Sequence, residues 1–142
     1  MRKRRVIIFS LVAVIALASV GFVAAARSKK RAQSAMCAGM LFPLTFVAME
    51  WATEHGDRYP TNLLYLSDQV ATRWLICPCD SSRRPASDWS SFTPEHSSYE
   101  LVSPGIAQSD TNSVFLRCRV HGHLSYTDST VFDGTRRRRK FD

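Results

Sequence analysis

Four cysteines and two of the four histidines are the residues of this 142-residue chain best suited to chemistry. Cys77 and Cys79 flank Pro78, Cys118 is followed by His121 and His123, and Cys37 stands alone upstream. An even cysteine count in an oxidising compartment permits two disulfides with three pairings. The preferred bridge is Cys77–Cys118, because both residues fall at or inside expected strands. It would close a loop of about 40 residues and stabilise by roughly 3–4 kcal/mol. Cys79 is then left to pair with Cys37, or Cys37 stays a buried thiol. The alternative is zinc, which takes four thiolate or imidazole ligands tetrahedrally. Cys77, Cys79, Cys118 and His121 form the candidate set, with His123 as a fifth donor. The C-x-C spacing is tighter than the usual C-x2-C, and an oxidising compartment disfavours free thiolates, so the disulfide is preferred.

Other chemistries find less support. No C-x-x-C-H haem motif, glycine-rich phosphate loop or G-x-S-x-G elbow occurs. His55 and His96 stand among many serines and aspartates, without a spacing that suggests a triad. A non-enzymatic protein is expected, with no catalytic residue, no cofactor and no small-molecule substrate. Calcium is a further alternative, with Asp80, Asp110, Asp128 and Asp133 as oxygen donors. No D-x-D-x-D run supports it, and solvated loop acids are the simpler reading.

The elements that must position these residues begin with a run of 21 uncharged residues, 6–26, between basic clusters at 2–5 and 27–31. A helix of that length covers roughly 30 Å, the thickness of a bilayer's hydrocarbon core. Residues 1–26 are therefore expected to form a basic tail and a membrane anchor. The alternative is a cleaved signal ending at Val23-Ala24-Ala25-Ala26. A short N-terminal tail left inside places the body of the chain outside the cytoplasm. The net charge of +7 is no nucleic-acid signal: between residues 32 and 135 six basic residues face 11 acids, a charge of −5. The remaining cations flank the apolar run or form a basic tail, 136–142, that is expected to be disordered.

A second uncharged stretch, residues 32–49, is expected to be a helix laid on a soluble core. Met36, Met40, Leu44, Val47 and Trp51 have the spacing of one helix face. Pro43 is expected to kink it, and Gly56 to stop it. Thr61 or Asn62 caps a short helix reaching about Val70. Residues 73–77 read as a strand stopped by Pro78, and 80–98 as a polar loop whose Trp89 and Phe92 pack inward. Strands are expected at 99–103, 114–120, 124–127 and 130–133. The fold class is α+β: a long N-terminal helix on a small antiparallel sheet.

Several local sequences carry a resemblance. They are Arg31-Ala32-Gln33-Ser34-Ala35-Met36-Cys37 on the helix and Glu54-His55-Gly56-Asp57-Arg58-Tyr59-Pro60 at its end. Downstream stand Cys77-Pro78-Cys79-Asp80, Ser97-Ser98-Tyr99-Glu100-Leu101 and Cys118-Arg119-Val120-His121-Gly122. In this order they resemble the major pseudopilin of type II secretion systems, and type IV pilin-like proteins more broadly. The resemblance implies an apolar stem in the bacterial inner membrane, crossing once, and a head over 27–135 in the periplasm. It implies partners that are the lipid bilayer and other pilin-like subunits or secretion-system proteins, with no nucleic acid. It also brings calcium binding in the head as a family property. Gly21-Phe22 stands at the end of the apolar run and no acid precedes Glu50, so the expectation is a pilin-like domain on a signal anchor.

Overall fold

The computed structural model describes residues 2–138, with side chains for Ser19 and from Gly21 onward. The end of the basic tail, 139–142, lies outside the described residues. Helix α1 runs without a break over Arg2–Glu54. The chain divides into two compact units, Met1–Ala32 and Gln33–Asp142.

In the first unit the chain is helical, and every described side chain is exposed, including the apolar Phe22 and Val23. By length and composition the helical segment Gly21–Glu54 is apolar enough to cross a membrane, with a third of its apolar window buried.

The second unit is an α+β head. Its part of α1 buries Cys37, Leu41, Leu44, Thr45, Ala48 and Ala52. These positions recur three to four apart, as one helix face requires. The face differs from the expected one by about one position. Met36 is 60% exposed, and Met40, Val47 and Trp51 are only half-buried at the edges. The buried positions 37, 45, 48 and 52 carry small side chains, while the larger Met36 and Met40 lie off that face. The Thr45 hydroxyl, buried in this face, donates to the Leu41 carbonyl at 2.8 Å and so is not left unpaired. Pro43 lies inside α1 without ending it.

The helix stops as its sequence dictates. Gly56 has φ +73°, and the Asp57 N–H bonds back to the Ala52 carbonyl at 2.9 Å, a Schellman closure. Tyr59 then turns inward; its hydroxyl donates to the Thr127 carbonyl at 2.7 Å and its ring lies 4.6 Å from that of Phe115. Asn62 caps a short 3₁₀ helix, Leu63–Leu66, by accepting from the Leu64 N–H.

The strand expected at 73–77 does not form. Thr72–Leu75 is a 3₁₀ turn, with Trp74 exposed and Leu75 buried. The Leu75 carbonyl takes one backbone bond, from the Ser98 N–H at 2.8 Å. Packing of Leu75 therefore holds the segment without a ladder. Trp89 and Phe92 do turn inward, and the Trp89 indole N–H donates to the Val70 carbonyl at 2.8 Å.

Five strands form one antiparallel meander in chain order: β1 (Tyr99–Leu101), β2 (Val114–Cys118), β3 (Leu124–Tyr126), β4 (Val131–Phe132) and β5 (Arg137–Arg138). The first four match the expected strands, each shorter. The fifth extends order beyond Asp133-Gly134, where disorder was expected. Arg137 and Arg138 pair with β4 and bridge to Asp128 at 3.0 Å and Asp133 at 2.6 Å. Two carboxylates on the preceding turns thus hold down cations that would otherwise repel one another.

Candidate metal centre

The head places one thiol of α1 against two from the rest of the domain. Cys37 projects from the buried face of α1, Cys77 follows the 3₁₀ turn, and Cys118 ends β2. His121 sits in the β2–β3 connection. That connection is tight: Gly122 has φ +68°, and its N–H bonds to the Cys118 carbonyl at 2.9 Å. Only glycine adopts this left-handed conformation at no steric cost, and here it folds His121 back over Cys118.

The ligand atoms of Cys37, Cys77, Cys118 and His121 all lie within 4.8 Å of one another. Cys37 Sγ is 3.3 Å from Cys118 Sγ. His121 Nδ1 is 3.4 Å from Cys77 Sγ and 3.9 Å from Cys118 Sγ. Zinc–sulfur bonds of about 2.3 Å at tetrahedral angles place two sulfurs about 3.8 Å apart. The four donors are thus close to the size of a tetrahedral zinc shell. The three sulfurs are buried, and His121 is half-buried.

The surroundings act on the three thiols unequally. Within the Cys37–Cys118 pair, the hydrogen bond from Cys37 lowers the Cys118 thiol against the effect of burial. Cys37 is raised, by that same hydrogen bond and by burial. Cys77 is pushed up to about 11, chiefly by burial. The Tyr99 hydroxyl lies 3.9 Å from Cys37 Sγ. His123 is buried beside the cluster, its ring stacked 5.0 Å from that of His121 and its Nε2 3.1 Å from Ser34 Oγ.

Of the expected set Cys77, Cys79, Cys118 and His121, three come together and Cys79 does not. Cys79 is half-buried outside the cluster. Cys37 takes its place. The signal for Cys37 was the helix repeat: it stands four residues before Leu41 on the face that is actually buried. Centring that face on Met36 turned Cys37 aside.

All four cysteines are free thiols, so the structure contains no Cys77–Cys118 disulfide. The acids considered for calcium do not converge among the described residues. Asp80 accepts from Ser82, Arg83 and Ser98, Asp128 from Thr130, and Asp133 from Thr135. His55 stacks on Trp51 and His96 bonds Thr93, each in its own local turn.

No family model, curated protein or solved structure matches this chain.

Proposed function

We propose that this chain is a non-enzymatic, membrane-anchored pilin-like subunit or accessory of a secretion or pilus apparatus. One observation carries the reading. The chain combines a charge-free apolar run, 6–26, with an α+β head built on one antiparallel sheet. An apolar run of that length favours hydrocarbon as its solvent, and the exposed Phe22 and Val23 agree with lipid or a neighbouring helix as their cover. The working surfaces are the stem helix and one side of the head. The stem crosses the bacterial inner membrane once, and the head, 27–135, faces the periplasm.

The test uses the full chain in its native membrane. Carbonate extraction should leave it in the membrane fraction, and protease added from the periplasmic side should reach the head. A photo-crosslinking residue at Phe22 should give adducts with further copies or with other helix-anchored subunits. Release by carbonate would overturn the anchor, and adducts with lipid alone would overturn assembly through the stem. The cysteine–histidine cluster favours a second reading, a periplasmic metal-binding module. It predicts the same location without protein adducts at Phe22.

A further inference from the structure

We propose that Cys37, Cys77, Cys118 and His121, through Nδ1, bind one zinc ion in a closed structural site that fastens helix α1 to the sheet. The site goes beyond the pilin-like reading and stands independently of it.

Three observations meet here. The first is the donor set: three thiols and one imidazole within 4.8 Å of one another, drawn from a helix, a turn and a strand end. A buried cluster of that composition has a soft, four-coordinate ion as its natural occupant. The second is the imidazole: His121 Nδ1 stands 3.4 Å from Cys77 Sγ and 3.9 Å from Cys118 Sγ, so one ring nitrogen faces two of the three sulfurs. The third is the parity of the cluster. A disulfide takes two sulfurs, so any pairing inside the cluster strands a third buried thiol beside His121. Cys37 Sγ and Cys118 Sγ stand 3.3 Å apart, well beyond the ~2.05 Å of a sulfur–sulfur bond.

Zinc binding balances simply. The ion displaces the remaining thiol protons to solvent, no oxidation state changes, and three thiolates with a neutral imidazole complete the shell. Four protein ligands leave no open position for water or substrate, so the site holds structure rather than performing hydrolysis. Tyr99, with its hydroxyl at 3.9 Å from Cys37 Sγ, is placed to donate to that sulfur from the outer shell.

The test measures metal on the full-length chain purified in detergent. Elemental analysis should give one zinc per chain. Zinc X-ray absorption should fit three sulfurs at about 2.3 Å and one nitrogen at about 2.0 Å. Cys79→Ser should keep its zinc and the same spectrum. His121→Ala should lose the nitrogen from the shell and lower zinc affinity at least tenfold. Because Cys37→Ser removes a buried donor and risks misfolding, wild type and Cys79→Ser carry the decision. Loss of zinc in Cys79→Ser, or a metal-free wild type with a Cys37–Cys118 disulfide, overturns the proposal. Membrane location does not enter any of these readouts, so the anchor and the zinc site can fail separately.

Discussion

Cys37 on helix α1 and Cys118 at the end of β2 bring their sulfurs to 3.3 Å, across 81 positions of sequence. That pair is where metal and oxidation compete. Chain stripped of metal by a chelator and then treated with diamide, which accepts the two electrons and two protons, should form the Cys37–Cys118 bridge. Peptide mapping under non-reducing conditions should find it in the stripped chain and not in zinc-loaded chain. A Cys77–Cys79 link as the main product would show that these sulfurs do not meet as described.

The buried face of α1 makes a contrast between neighbouring turns. Leu41 is fully buried, and Met36 is 60% exposed. Leu41→Ala should destabilise the head by about 2–5 kcal/mol. Met36→Ala should change stability by less than about 0.5 kcal/mol. Denaturant titration followed by tryptophan fluorescence checks both, and equal losses would restore the Met36-centred face.

Asp80 braces the Cys77 turn. Its side chain is 3% exposed and accepts from the Ser82 hydroxyl at 2.6 Å, the Ser98 hydroxyl at 2.7 Å and Arg83 at 3.2 Å. Burial alone would raise its carboxyl, yet these donors hold it well below the usual range. Asp80→Asn keeps the size but loses charge-assisted acceptance, and should cost about 1.5–3 kcal/mol. The same denaturant titration at neutral pH measures it; an unchanged midpoint would show that the brace is dispensable.

Arg137 carries a pH prediction. Its guanidinium bridges to Asp128 at 3.0 Å and lies 3.8 Å above the Tyr126 ring. Burial pushes the Asp128 carboxyl up, but Thr130 and Arg137 overcome it and hold it low. A depressed carboxyl contributes stability that is complete above its unfolded value of about 3.9 and is lost as pH falls below that. Arg137→Ala should therefore cost about 1 kcal/mol at neutral pH. It should also lessen the further loss between about pH 4 and pH 2. Unfolding midpoints at the two ends of that range provide the check, and parallel curves for the two proteins would refute the coupling.

The sequence makes the main elements readable where a local rule acts alone. Gly56 ends the helix through its positive φ, Asn62 caps through its own side chain, and β1–β4 follow short apolar runs bounded by turn residues. Reading fails where tertiary contact decides. Thr72–Leu75 has strand-like residues, yet it turns as 3₁₀ and makes one backbone bond to the chain entering β1, from Ser98. Arg137–Arg138 looks like a repelling tail until Asp128 and Asp133 are placed beside it. In the candidate site, Cys118 and His121 are legible because three positions and a glycine turn join them. Cys77 is legible too, as a thiol beside an expected strand end, whereas Cys37 is not, because its place in the cluster depends on which side of α1 is buried.

The donors of the cluster lie at 37, 77, 118 and 121, so their order along the chain imposes an order in time. During N-to-C synthesis the first thiol waits bare while the residues up to 121 have still to follow. Closure comes only once the β2–β3 connection has emerged, making the head a late-maturing unit. Any chain released early, before His121, carries the opening half of a clasp and nothing to shut it.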